Sequence, residues 1–334
     1  MTPHWTNRLG LPTTRLGTLL GAMVIVQIVT GTLLALWYVP SRNAATMLDG
    51  RMATVSSEQR LETVGDFIDT LGVHGQPSLV PARRGDAVPS QAAASVTVNI
   101  ANAPAGEFLR NVHHNATGWL YTLSILWLVM LAVSRAFRKD GPLWIRAVFA
   151  VILVLIGAWT GRLLPDDVYA EISRRIVGHE LQEAPFGSLF ATLFGVDPSH
   201  PLLSRTFVMH TLVGAALLSL FWKPLSAMRR AAIAASGVSQ DPGAASLKKA
   251  VGREWVFMLA LGGVAVVLGT AFNPIETSPL RDVVGGLSGQ VHAEPWWVIR
   301  PLHTLVGWFG AELAGYLLIA LTLTLLILPM RKRN

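Results

Sequence analysis

The sequence contains no cysteine. This excludes disulfides, thiolate metal sites and covalently attached c-type haem within the chain. Charge is also scarce, at 14% of residues, where a soluble domain carries about a quarter. With 51% hydrophobic residues, this excludes an ordinary soluble domain and implies a polytopic membrane protein. The formal net charge of +7 does not point to nucleic acid, because the basic residues flank long apolar runs and topology accounts for them. The first apolar run is too long for a signal-peptide core and lacks a small-residue cleavage site, so no cleavable signal is expected. Charged residues are missing from the middle of the runs as well, which argues against a transporter.

Six apolar runs are present, at about 16–39, 108–137, 143–164, 206–222, 255–272 and 309–328. At 1.5 Å per residue each can cross, or nearly cross, a hydrocarbon core of ~30 Å. The fold class expected is therefore an all-α integral membrane protein with six transmembrane helices. The first four form a bundle over residues 1–230, and residues 231–334 supply two more helices. Residues 41–105 are polar and too long for a simple connection, so they are expected to hold small extramembrane structure. A second polar stretch, 165–203, follows the third run. The loop 273–308 contains an apolar piece, 294–306, read as a short helix along the membrane. Basic residues dominate the side that carries both termini, and acidic residues the other. The positive-inside rule then puts both termini in the cytoplasm of a bacterial inner membrane.

Two of the runs carry a histidine near the same end. The second carries Arg110, His113 and His114 at its beginning, and the fourth carries His210 and is preceded by Arg205. A histidine in a membrane helix is costly unless it faces a partner, a cavity or a metal. Both runs cross in the same direction, which puts His113 and His210 at similar depth. Imidazoles from two helices of a bundle can hold one six-coordinate b-type haem. Arg110 and Arg205 lie towards the water, where guanidinium groups can pair with haem carboxylates. The alternative is a pair of interfacial histidines facing lipid headgroups. His114 competes with His113, and points ~100° away around the helix.

Several motifs carry a resemblance. They are Gly17-Thr18-Leu19-Leu20-Gly21, Gln27-Ile28-Val29-Thr30-Gly31 and Ala35-Leu36-Trp37-Tyr38-Val39-Pro40 in the first run. Leu109-Arg110-Asn111-Val112-His113-His114-Asn115-Ala116, Gly161-Arg162-Leu163-Leu164-Pro165 and Arg205-Thr206-Phe207-Val208-Met209-His210 follow in order. The chain resembles cytochrome b of the respiratory and photosynthetic cytochrome bc complexes, apart from an insertion around 49–91. The resemblance implies that His113 and His210 ligate the iron and that Gly31 and Gly161 flank the haem. Glycine gives a helix surface that a porphyrin can approach closely; ordinary helix packing is the other role open to these glycines.

The departures from the family are equally specific. Its second haem uses a histidine fourteen residues beyond each first ligand, and here those positions are Trp127 and Pro224. Ala147 stands where a glycine is expected, although Gly17 remains. A mono-haem variant is therefore expected, with Trp127 filling part of the second site. The family's P-E-W-Y is replaced by Glu294-Pro295-Trp296-Trp297. Glu294 and His303 are candidates for proton transfer to or from a quinone. A solvated loop acid and an interfacial aromatic belt are the alternatives for Glu294 and the tryptophans. The implied function is electron transfer between quinol or quinone and a periplasmic partner, through one haem b near the outer face. That partner would be a c-type cytochrome or an iron–sulfur subunit, alongside other membrane subunits. The alternative is a membrane anchor for a periplasmic enzyme, with a non-catalytic haem.

Overall fold

The computed structural model describes residues 11–46, 88–197, 201–235, 257, 260–268, 270, 283 and 297–330. Among these residues, five helices are long and apolar enough to cross a membrane. Four of the five carry the bundle. They are α1 (Leu11–Ala35), α3 (Gly106–Val133), α5 (Gly141–Leu163) and α8 (Leu203–Ala235). The fifth is α9 (Arg300–Ile327). The sixth expected span, 255–272, lies partly outside the described residues; within it, residues 260–268 are helical and Val266 is buried.

The helix ends follow local chemistry. Asp140 caps α5 by accepting from the Leu143 backbone N–H at 3.0 Å, and Pro142 stands in the first turn, where its missing N–H costs nothing. The second span ends earlier than expected, at Val133. Ser134 bonds back to the Leu131 carbonyl and Arg135 adopts a left-handed conformation (φ 55°) before the four-residue α4 (Ala136–Lys139). The first span also stops short, at Ala35 instead of Val39. The fourth span does the opposite: α8 runs on through Pro224 to Ala235.

The polar stretch after α5 is not a loop. It folds into α6 (Val168–Glu183) and α7 (Gly187–Phe194). Asp167 caps α6 through the Ala170 N–H at 2.8 Å. On the other side of the insertion, α2 (Gln91–Ala94) continues as a π-helical segment, Ser95–Ile100. The stretch 47–87 lies outside the described residues.

An ion network ties these pieces together at the α6 end of the bundle. Arg42, just past α1, bonds Asp166 at 3.2 Å and also reaches Glu171. Arg174 bonds Asp166 at 3.1 Å and Glu171 at 2.9 Å. Asp166 is fully buried, so these pairs are protected from solvent screening, and removing one partner would strand a buried charge. Beside them the Tyr38 hydroxyl donates to the Leu164 carbonyl at 2.7 Å. Burial, and then the Asp166 carboxylate, push the Tyr38 phenol well above its ordinary range, so it stays a protonated donor.

The opposite end of the bundle is a packed core. Leu20, Met23, Val24, Trp127, Leu131, Trp144, Ala147, Val148 and Phe221 are all buried there. Trp127 lies against Gly17: a Cβ added at Gly17 would stand 3.3 Å from its ring. Its ring centroid is 5.7 Å from that of Phe221. Trp144 satisfies its indole N–H on the Leu325 carbonyl at 2.7 Å, which ties α5 to α9. The helix α9 begins at Arg300, earlier than expected, and breaks at Gly310, whose backbone (φ 74°, ψ 163°) no side-chain-bearing residue adopts readily. The apolar piece expected as a short helix is thus helical from residue 300.

Candidate functional site: two imidazoles between glycines

The site is built from four helices in two matching halves. On α1, Gly31 faces His113 of α3; a Cβ at Gly31 would lie 2.9 Å from the imidazole Cε1. On α5, Gly161 faces His210 of α8, and a Cβ there would also lie 2.9 Å from Cε1. Contacts that short do not occur between real Cβ atoms and rings, so each imidazole sits where only glycine leaves room. The two rings are 6.1 Å apart between centroids, inclined at 69°.

The hydrogen bonds fix which nitrogen of each ring is free. The Thr30 Oγ1 lies 3.0 Å from His113 Nδ1, and the Thr160 Oγ1 lies 3.1 Å from His210 Nδ1. Each threonine hydroxyl donates its single hydrogen to its own helix, Thr30 to the Val26 carbonyl at 2.7 Å and Thr160 to the Ile156 carbonyl at 2.8 Å. A hydroxyl that has spent its hydrogen can only accept. Both Nδ1 atoms therefore carry the proton and donate it to threonine, and both Nε2 atoms keep a lone pair. This is the arrangement of a metal-ligating histidine oriented by an outer-shell partner. Gln27 adds a further brace on α3, donating to the His113 carbonyl at 3.0 Å and to Thr117 Oγ1 at 2.5 Å.

The imidazoles open onto a cavity of about 1520 Å³. Among the described residues its charged lining consists of Arg110, Arg162 and Arg300. His114 lines it too, but His113 is the residue brought against Gly31 and His210.

A profile of the family described as "Cytochrome b(N-terminal)/b6/petB" matches residues 120–279. Over that stretch, just under half of the chain, the sequence is similar to that family. A multi-pass membrane protein agrees with the five helices, among the described residues, that are long and apolar enough to cross a membrane. A solved chain described as "Hyperthermophilic respiratory Complex III" is similar in fold, with a TM-score of 0.60, 19% identity, and coverage of 96% of this chain and 76% of that one. Among curated proteins no match was found.

The similarity to that family implies haem b, and the residues present fit it. The paired glycines form a cradle that two Cβ atoms would close. The 6.1 Å between ring centroids leaves space for one metal–nitrogen bond on each side, at about 2 Å for first-row metals and imidazole. The donor set, two neutral imidazoles, is a common axial pair for b-type haem. Two buried polar atoms of cavity-lining residues, Gln27 Oε1 and Ser173 Oγ, have no hydrogen-bond partner among the described residues.

Other residues expected from the sequence fall in different places. Arg110 lines the cavity, whereas Arg205 is turned away from it, donating to the Thr192 carbonyl at the end of α7 at 3.1 Å. That carbonyl lies in the last turn of α7, where it also accepts from the Gly195 N–H at 3.2 Å and where the helix C-terminus attracts a cation. His303 lines the cavity from the first turn of α9. Trp297 lies against α3: a Cβ at Gly118 would be 2.8 Å from its indole, and its ring is 5.9 Å from that of Tyr121. Glu294, Pro295 and Trp296 lie outside the described residues. Sequence reasoning missed Thr30, Thr160 and Arg162. The signal for the threonines was present, since a Thr-Gly pair occurs at 30–31 and again at 160–161, each facing a histidine.

Proposed function

We propose that the chain is the cytochrome b-like membrane subunit of a bc-type respiratory complex, holding a single haem b through His113 and His210. The observation that carries this reading is the pair of glycine-backed imidazoles whose Nδ1 protons are committed to Thr30 and Thr160. When bound, the haem supplies one-electron transfer between its ferrous and ferric states. The chain's own part is to orient both Nε2 lone pairs and to exclude water with the apolar walls of the bundle. It also offers arginines at the rim to negative charge. One haem per chain is supported by the packing at the other end, where Trp127 and Phe221 fill the bundle and Ala147 adds a buried methyl.

Electrons would pass between quinol or quinone and a further redox subunit, a c-type cytochrome or an iron–sulfur protein, beyond the α6 end. By the distribution of basic residues, that end faces the periplasm of a bacterial inner membrane. His303 supports a quinone site there, because it lines the same cavity as the imidazoles and can carry a proton. Glu294 is the second proton carrier of the proposal.

The test is purification of the native complex, with haem b counted per chain and reduction by quinol followed optically. One haem per chain, reduced by quinol within the turnover time, is expected. Two haems would overturn the single-site reading. One haem inert to quinol would leave a membrane anchor instead of an electron carrier.

A further inference from the structure

His303 lines the cavity from the first turn of α9, and a proton that it takes from a quinol needs a way out. The arginines of the lining, Arg110, Arg162 and Arg300, stay protonated and cannot accept it. Among the described residues, the other titratable side chains of the lining, besides the two facing imidazoles, are Tyr38, His114 and Tyr169. The helix α6 offers a route. Its Tyr169, Ile172, Ser173 and Ile176 all line the cavity, and their spacing marks one face of the helix. Glu180 is one turn further along that face. It is half-buried, at the point where the cavity-lining stripe gives way to the surface. The helices α6 and α9 are packed together: a Cβ at Gly315 of α9 would stand 3.0 Å from the Pro185 ring, just past the end of α6. The Glu180 carboxylate is close enough to act electrostatically on the His303 ring.

We infer that Glu180 receives the proton that His303 takes from the quinol and delivers it to water, so that the two residues form one path out of the cavity. The inference rests on the quinone reading above and adds the residue beyond His303. Oxidation of one quinol releases two electrons and two protons. In that reading the electrons leave to the ferric haem and to the further redox subunit. For the proton on this path, the quinol O–H bond breaks and an N–H bond forms on His303. The ring then releases a proton from its other nitrogen, and a carboxylate oxygen of Glu180 takes it up and loses it to solvent. An imidazole has one nitrogen for each task, and a carboxylate beside it attracts the positive charge of the loaded ring. Glu180 is one turn outside the lining, so it acts through His303 and not on the quinol itself.

The experiment follows quinol-dependent haem reduction by stopped flow in the native complex carrying Glu180→Gln, Glu180→Asp, His303→Gln, Glu183→Gln or the Glu180→Gln/His303→Gln pair. Glu180→Gln should slow reduction about tenfold, less than the loss of a group that contacts the substrate directly. The haem band and the KM for quinol should stay unchanged. Glu180→Asp should restore most of the rate. Glu183 is an exposed acid at the end of the same helix, and Glu183→Gln should keep the wild-type rate. The double variant should be no slower than His303→Gln alone, because both residues serve one path. The infrared difference between the quinol-reduced and oxidised complex should contain a carboxyl C=O band that Glu180→Gln removes. A wild-type rate in Glu180→Gln, an effect that multiplies with that of His303→Gln, or an equal loss in Glu183→Gln would overturn the role of Glu180 while leaving the quinone reading standing. So would a wild-type infrared difference with no carboxyl band, or with one that Glu180→Gln leaves in place. A wild-type haem inert to quinol would instead overturn the quinone reading beneath it.

Discussion

Near the α6 end of the bundle, His113 of α3 lies on Gly31 of α1. Fourteen residues further along both helices, Trp127 lies on Gly17. The helix geometry is the same in the two places, since fourteen residues return close to the same face. The chemistry is not. At the first place the imidazole meets a second imidazole across 6.1 Å and opens onto a large cavity. At the second the indole meets Phe221 and is enclosed by Leu20, Met23, Leu131 and Trp144. A glycine facing a helix is thus an opening for a ring, and does not itself encode a binding site. The side chain opposite it decides whether the space becomes a metal centre or a packed core.

The largest test of that contrast is removal of a ligand. His113→Ala and His210→Ala should each abolish the low-spin b-type spectrum, whereas His114→Ala should largely keep it, as read by optical spectroscopy of purified membranes. Loss that followed His114 instead would mean the register on α3 is wrong by one residue.

Next is the packed half. Trp127→Ala deletes a buried aromatic and should cost about 3–5 kcal/mol of stability, measured as a lowered unfolding temperature, with the haem spectrum retained in whatever protein folds. Trp127→His should leave the count at one haem per chain, because Ala147 and Phe221 still fill the space and Pro224 offers no second ligand. A second haem in that variant would show the two halves to be interchangeable.

A finer comparison sets the glycines against each other. Gly31→Ala or Gly161→Ala puts a methyl 2.9 Å from an imidazole, and should displace the ring and broaden or shift the b-type band. Gly17→Ala puts one 3.3 Å from Trp127, which asks only a small shift of the indole, and should cost about 1–3 kcal/mol at most without touching the spectrum.

Smallest is the effect of the outer-shell hydroxyls. Thr30→Val and Thr160→Val remove the acceptor of an Nδ1 proton, which makes the imidazole a weaker donor to ferric iron. Each should raise the reduction potential modestly and leave the haem count unchanged, and the serine variants should restore the wild-type value. A valine variant whose potential stays at the wild-type value would show that the threonines only pack.

Much of this architecture can be read from residue order. Long apolar runs with few charges announce membrane helices because no other element satisfies backbone polar groups in lipid. His113, His210 and their glycines stand out because polar residues in such runs demand a reason. The helices α6 and α7 were harder to see. Their segment is polar and mixed in charge, and Asp167 looks like one loop acid among several until its side chain is found capping Ala170. The end of α3 was misjudged because Ala136 and Phe137 continue the apolar pattern past Arg135, although the backbone turns there.

The sequence alone determined that this chain enters a membrane, which two helices bring histidines, and that Trp127 and Pro224 stand where further ligands would be needed. Those facts depend on composition and on positions along single helices, which the helical period converts directly into faces and depths. Only the tertiary structure decided which nitrogen of each imidazole is protonated, which arginines line the cavity and which one is drawn off to a helix end. Those depend on hydrogen bonds across the bundle, between residues such as Thr30 and His113 that lie 83 positions apart. The Thr-Gly pairs mark where such a contact can form, but the contact itself exists only once the helices have packed.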